Sequence, residues 1–300
     1  MRVLDLFCGC GGLSLGFQHA GFEVVAAYDN WGKAVDIYNN NFTHKAEILD
    51  LSKVPHSYFE KHYPDVVIGG PPCQDYSSAG KRNEANGQAS LTLKFAEIVC
   101  GLKSQWFVME NVDRIIKSRT LSQAVKMFRD NNYGLTQVTL DASRCGVPQK
   151  RKRFFLIGEL NGVDGFLEDK LLNNLSNKST TIRDYLGYEF NTEYYYRHPR
   201  SYARRAIFSI DEPSPTIRGV NRPIPNTYVI HAGDATRDLA LARPLTTLER
   251  ARIQTFPKDF AFAGSKTDME QAIGNAVPVG LATYVGKFLL AYITQKERAF

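Results

Sequence analysis

Apolar positions in the first half of the chain follow two alternating rhythms. Residues 2–7 (RVLDLF) form a short, nearly continuous apolar run, the pattern of a buried strand. Gly11 and Gly12 predict a turn, and residues 13–20 carry apolar positions at helical spacing up to a closing Gly21. Residues 23–28 (EVVAAY) predict a second strand and residues 33–40 a helix. The pattern then recurs. Residues 65–68 (DVVI) form a strand that runs into Gly69-Gly70-Pro71-Pro72, residues 91–102 a helix, and residues 106–109 a strand. A helix near 121–129 precedes strands near 136–141 and 154–157. Such alternation predicts an α/β fold, a parallel-rich sheet with helices on both faces.

Past Asn161 the rhythm breaks. Residues 161–242 hold tyrosine, proline, asparagine and arginine with no clear period, and helical spacing returns only from Leu245, ending in an amphipathic helix over 279–292. At roughly 150 residues per domain the length agrees with two units, the second rich in loops. No apolar run reaches the length of a membrane span, and the opening MRVLDLFCGC lacks the basic and long apolar regions of a secretory signal. A cytoplasmic protein beginning near Met1 is expected. Five cysteines, an odd count without a signal, argue against a disulfide framework. Cys8 and Cys10 lack the further ligands that zinc requires, so no metal is expected.

The net charge of +6 permits a nucleic-acid partner, and its distribution says more. Residues 150–153 read Lys-Arg-Lys-Arg. Between Arg197 and Arg222 stand six arginines, no lysine and two acids, Asp211 and Glu212. Either run could be a solvated face, but an all-arginine cluster suits phosphates and guanine edges.

Four places carry candidate chemistry. Phe7-Cys8-Gly9-Cys10-Gly11-Gly12 joins a strand to a helix, and Asp29 closes the next strand at the distance usual for a ribose-binding acid. This fits a dinucleotide and S-adenosylmethionine alike, since Ser14 breaks the full dinucleotide pattern. Cys73 follows Pro71 and Pro72 at the carboxyl end of a strand, where open α/β sheets bind ligands and where the prolines hold a thiol in one place. Glu110 ends another strand, so a parallel sheet sets it on the same edge, suited to proton delivery. Arg151 and Arg153, spaced by one residue, project from one side of an extended segment.

In order, FCGCGG, DVVIGGPPCQDYS, ENV, QKRKR, LTTLERARIQTFP and IGNAVP resemble the blocks of the cytosine-5 DNA methyltransferase family, bacterial restriction-modification type, across almost the whole chain. The resemblance implies a Rossmann-like S-adenosylmethionine-dependent methyltransferase sheet in residues 1–160 plus 265–300. A second, smaller, loop-rich target-recognition domain would occupy 161–264. It implies Phe7, Gly9, Gly11 and Gly12 at the cofactor turn, Asp29 on the ribose hydroxyls and Asp50 on the adenine amino group. Pro72, Leu91 and Asn275 complete the implied cofactor pocket, and Arg243 opens the block that organises the recognition domain.

The implied chemistry is covalent: Cys73 adds to carbon 6 of cytosine while Glu110 serves ring nitrogen 3. Carbon 5 then takes the methyl group, leaving S-adenosylhomocysteine. Arg153 would orient the base, and Arg151 would help hold the thiolate and phosphate geometry. The base must leave the duplex stack. The loop with Ser77, Ser78 and Arg82 is expected to close on it, and Arg197, Arg200, Arg204, Arg205, Arg218 and Arg222 to contact DNA. Residues 214–219 (SPTIRG) are the expected rigid support beneath those contacts. Implied partners are double-stranded DNA and a cognate restriction endonuclease.

Two positions depart from the family pattern. Tyr76 stands where Phe is commoner, and Asn30 where some relatives stack an apolar side chain on adenine. The nearest rival is the branch that methylates tRNA; a recognition segment of about 80 residues favours duplex DNA, whose major groove carries a readable code. A non-catalytic DNA-binding member of the fold would not need Cys73, Glu110, Arg151 and Arg153 together, and a dinucleotide oxidoreductase would explain only the first turn.

Overall fold

The computed structural model describes residues 1–72, 89–201 and 203–298. Cys73, Tyr76, Ser77, Ser78 and Arg82 lie outside the described residues. In chain order the first half comprises β1 (Arg2–Leu6), α1 (Gly12–Ala20), β2 (Glu23–Asp29), α2 (Gly32–Asn39), β3 (Ala46–Ile48), β4 (Val66–Gly69), α3 (Ala89–Leu102), β5 (Trp106–Val112), α4 (Arg119–Asp130) and β6 (Tyr133–Asp141). There follow β7 (Gln149–Lys150), β8 (Lys152–Leu160), α5 (Glu168–Asn173), α6 (Ile182–Leu186), β9 (Tyr194–Tyr196), β10 (Ile207–Ser209), β11 (Ser214–Pro215) and β12 (Ala242–Pro244). The chain closes with α7 (Thr247–Ile253), α8 (Lys266–Asn275) and α9 (Val279–Glu297).

Seven strands form the main sheet in the order β3-β2-β1-β4-β5-β8-β6. The pairs from β3 to β5 are parallel, whereas β8 runs antiparallel between β5 and β6. Successive residues of a strand face opposite sides of a sheet. Val3, Val66 and Val108 accordingly pack with Phe17 of α1 and Leu281, Val285 and Leu289 of α9. Their neighbours Leu4, Val67 and Phe107 pack with Phe95 of α3 and Phe128 of α4. Burial on both faces is why these strands read as apolar runs. Lys266–Glu297 is long and apolar enough to cross a membrane, but half of it is buried, α9 serving as a core helix.

A smaller sheet, β10-β9-β12, stands apart from the large one. Its Tyr195 and Phe208 share a hydrophobic cluster with Cys10 of the turn after β1, Ala27 of β2 and Val35 of α2, and with Phe256 and Ile273. The residues just past 161 behave differently: Leu167 and Leu171 of the α5 region join the core of the large sheet.

Parallel pairing brings the carboxyl ends of β1, β2, β4 and β5 to one edge. Because β8 is reversed, it presents its amino end, Arg153, at that same edge.

Candidate active site

The first wall of the site is the turn after β1. Phe7 (φ 64°), Gly9 (φ 54°) and Gly11 (φ 96°) all adopt left-handed backbone, which is costly for phenylalanine and natural for glycine. A Cβ built on Gly9 would meet nothing within 4 Å, so this glycine borders open space where a ligand can lie against the backbone. A Cβ on Gly12 would collide with the Val277 carbonyl oxygen, which seats α1 directly on the segment after α8. Asn275, at the end of α8, is exposed there and its Oδ1 accepts a bond from Gln271 Nε2 at 2.8 Å.

Asp29 braces this turn. Its Oδ2 accepts from Gly9 N–H and its Oδ1 from Trp31 N–H, each at 2.8 Å. Burial raises its pKa, and these main-chain donors offset part of that rise. Trp31, half-buried beside Asp29, offers a flat aromatic surface at this edge that the sequence reading passed over. Asp50 follows β3 and caps a short turn, its Oδ1 accepting from Ser52 N–H and Oγ–H at 3.1 and 2.6 Å, while Lys53 pairs with Oδ2 at 2.9 Å. The Ser52 and Lys53 donors hold its pKa down, at about 2. Pro72 and Leu91 are half-buried on either side of the undescribed segment.

Beneath the turn runs a buried polar chain. Ser14 Oγ–H donates to Asp5 Oδ2 at 2.5 Å, and Tyr38 Oη–H donates to Ser14 Oγ at 2.8 Å. His44 Nε2 lies 2.6 Å from Tyr38 Oη. Burial pushes the Asp5 carboxyl up to about 8. An aspartate in the middle of the apolar run RVLDL was the available signal, and the sequence reading did not use it.

The second wall is Glu110 at the end of β5. It is buried, and its Oε1 takes an ion pair from Arg153 Nε at 2.7 Å. Its Oε2 lies 3.2 Å from the position a Cβ on Gly70 would occupy, so the carboxyl sits against the loop that leads to Pro72 and on to residue 73. Asn111 Nδ2 donates to Pro71 O at 3.2 Å and fixes the same loop. Burial raises the Glu110 pKa, while the charges of Arg153 and then Arg151 pull it back down.

Arg151 and Arg153 go to different partners. Arg151 is 2% exposed, and it donates to Ile217 O at 3.0 Å, Gly274 O at 3.1 Å and Ala276 O at 3.0 Å. These bonds place it as a tie between β8, the segment after β11 and the end of α8. Gln149, 0% exposed, extends the tie: its Oε1 accepts from Ile217 N–H at 2.8 Å and its Nε2 donates to Gln254 Oε1 at 2.6 Å. Gln254 in turn donates to Ile273 O at 2.6 Å. Neither glutamine stood among the expected site residues.

The arginine cluster divides by partner. Arg205 pairs with Glu212 and lies over the Phe208 ring, 4.2 Å from its centroid. Arg197 donates to Thr216 O at 2.9 Å and Arg218 to His198 O. Burial and then Arg218 bring the Arg197 pKa down to about 10. Arg200, Arg204 and Arg222 are exposed. Two structures in this region escaped the sequence reading: the buried Arg250–Glu270 ion pair, and the bidentate grip of Arg243 on Glu249, with Nη2 to Oε1 at 2.6 Å and Nη1 to Oε2 at 2.8 Å.

An open-faced glycine turn and a buried carboxyl clamped by arginine thus meet at the edge of an α/β sheet where such folds bind ligands, which defines an α/β enzyme site. Comparison with known proteins makes this specific. Residues 1–291 match the family model described as C-5 cytosine-specific DNA methylase. The chain is 57% identical over 302 residues to the type II methyltransferase M.HindV of Haemophilus influenzae, covering 100% of this chain and 99% of that protein. It is 56% identical to the type II methyltransferase M.HgiDI of Herpetosiphon aurantiacus, covering 98% and 96% of the two chains. Among solved structures, the S. pombe Dnmt2 methyltransferase superposes with a TM-score of 0.73 over 98% of this chain and 99% of that one, at 19% identity, a likeness of fold. The chain belongs to the C-5 cytosine-specific DNA methylase family.

Proposed function

We propose that the protein uses S-adenosylmethionine to methylate carbon 5 of a cytosine flipped out of a specific double-stranded DNA sequence, as the modification half of a type II system. The observation that carries this reading is the Glu110 carboxyl, buried beside Gly70 and held by Arg153 at 2.7 Å. A pyrimidine ring needs a fixed acid at nitrogen 3 if carbon 6 is to accept a nucleophile without charge building on the ring. The loop at Gly70–Pro72 leads directly to Cys73, the nucleophile in this reading.

When bound, the cofactor supplies an electrophilic methyl group. Gly9 leaves space for it along the backbone, and Phe7, Gly11 and Gly12 shape the turn. Asp29 holds that turn closed through Gly9 and Trp31, and Asp50, Pro72, Leu91, Trp31 and Asn275 supply its remaining surroundings. Cys73 attacks carbon 6, Glu110 holds a proton at nitrogen 3, and Arg153 orients both Glu110 and the base. Carbon 5 takes the methyl group as its bond to sulfur breaks, and loss of the carbon-5 proton to a base or water then releases Cys73. Arg151 acts through the backbone it ties together. Within residues 161–264, the part beyond α5 serves as the recognition domain, with exposed Arg200, Arg204 and Arg222 contacting DNA and with Ser77 and Arg82 assigned the same role from the sequence. The reaction takes place in the cytoplasm, where a cognate endonuclease would cut the unmodified site.

Incubating the purified protein with S-adenosylmethionine and a randomised duplex pool, then sequencing after bisulfite treatment, tests the reading. Protected cytosines within one sequence context support it. A pool that stays fully convertible, or methylation confined to RNA in a parallel reaction, overturns it.

A further inference from the structure

The segment after β10 is bound on one side to the catalytic half and on the other to the arginine cluster. Toward the catalytic half, Ser214 pairs with Gln149 and Pro215 with Lys150 in a short parallel ladder, and Ser214 N–H donates to Pro148 O at 2.9 Å. Thr216 Oγ–H donates to Lys150 O at 2.9 Å, while Ile217 is held through both its N–H and its carbonyl, by Gln149 and Arg151. Toward the recognition side, Arg197 donates to Thr216 O, Arg250 to Arg218 O, and Arg218 to His198 O.

Arg151 joins β7, which pairs with β11, to β8 of the large sheet, and just past that junction Arg153 grips Glu110. A chain of hydrogen bonds between short strands carries displacement from one to the next. The strip 214–218 therefore touches, through bonds that run from exposed at Thr216 to buried at Ile217, both Arg197 and Arg218 of the arginine cluster and the residues that lead to the acid.

We propose that residues 214–218 form a strut that couples the seating of DNA on the recognition arginines to the alignment of Glu110 and Arg153, with Gln149 and Thr216 as positioning residues, so that a wrong sequence is rejected at the methyl-transfer step more than at binding. This rests on the proposed DNA methyl transfer. A mis-seated duplex displaces Arg197 and with it Thr216. The displacement reaches Lys150 and Arg151 and loosens the hold of Arg153 on the carboxyl. Rejection then appears as a slow reaction on a bound duplex.

Thr216→Val removes the bond to Lys150 O while keeping shape, and Thr216→Ser keeps the hydroxyl. Gln149→Leu cuts the strut at its buried end, and Thr216→Val, at a half-buried position, covers the case in which that core change fails to fold. With the wild type, the randomised pool first gives the preferred site. Single-turnover rates and DNA affinities are then measured on that site and on its single-base variants. Thr216→Val is expected to slow methyl transfer on the preferred site about 10-fold, the scale of one hydrogen bond. It should also shrink the rate ratio between preferred and altered sites by a similar factor, leave affinity within about twofold, and be rescued by Thr216→Ser. Unchanged rates, or weaker binding to every duplex with the rate ratio intact, overturn the strut. A wild type that methylates no duplex removes the functional reading instead, and the strut with it.

Discussion

Glu110 and Arg153 meet diagonally across the antiparallel β5–β8 pair: Arg153 sits opposite Val112, two residues beyond Glu110, and its Nε reaches the carboxylate at 2.7 Å. Residues two apart on a strand share a face, so a reversed strand puts a cation where a parallel strand would have ended elsewhere. Glu110→Gln keeps the shape and loses the acid. Methyl transfer is expected to fall roughly 100- to 10,000-fold with DNA affinity little changed. A near-native single-turnover rate removes Glu110 from the chemistry.

The same contact sets a pH dependence. Glu110 serves while it holds its proton, so the rate falls as pH rises through its elevated pKa. Arg153 opposes that elevation. Arg153→Gln should therefore move the alkaline limb of the single-turnover profile upward while lowering its plateau. A limb that stays in place, or moves down, assigns it to another group.

Cys73→Ser is expected to abolish turnover and spare cofactor affinity, because in the proposed reaction the thiol adds to the base. Duplex DNA carrying 5-fluorocytosine at the preferred site should give a denaturation-resistant adduct with the wild type and none with the variant. Failure to trap that adduct on a duplex known to be methylated rules out covalent catalysis.

Exposed Arg204 and Arg222 and paired Arg205 should separate cleanly. Substituting alanine for Arg204 or Arg222 is expected to flatten the salt dependence of DNA binding by about one unit of slope if each meets a phosphate. A guanine contact would instead cost about 1–3 kcal/mol at one base position. Arg205→Ala should lower the melting temperature, since it strands Glu212, and leave the salt slope alone. Equal slopes together with an unchanged sequence preference for the Arg204 and Arg222 variants dismiss the DNA role.

Asp5 offers a stability test away from the chemistry. Its folded pKa, about 8, lies above the ordinary carboxylate value, so the folded chain retains a proton that the unfolded chain has released. That difference costs stability progressively from about pH 4 to pH 8 and is constant above. Asp5→Asn does not titrate. The melting temperature of the variant relative to wild type should therefore rise between pH 5 and pH 8, and a gap independent of pH contradicts the buried-acid account.

The large sheet was legible because burial on both faces leaves apolar strands separated by amphipathic helices, and β1, β2, β4 and β5 lie where that pattern put them. The edge strand β3 was not, since Glu47 and Ile48 are exposed and three residues give no period. Nor does a hydrophobic run tell direction, so the insertion of β8 between β5 and β6 appeared only in the pairing. Motif order singled out Glu110 and Arg153, which the structure brings together. The pairing of Arg205 with Glu212 was not, because counting basic residues in a segment cannot say which guanidinium is already spoken for. Gln149 was read only as part of a basic block; its buried neutral amide reveals its work through partners more than 60 residues distant in sequence.

Because the Val277 carbonyl fills the place where a larger residue at Gly12 would need room, the turn after β1 is finished by the segment between α8 and α9. A ribosome translates that turn early and its lid late. The emerging chain therefore exposes an unbacked glycine turn until the segment between α8 and α9 has cleared the exit tunnel. A chain that stops before residue 277 lacks the carbonyl that seats α1 at this turn, so its first wall stays unsupported however complete the sheet beneath it.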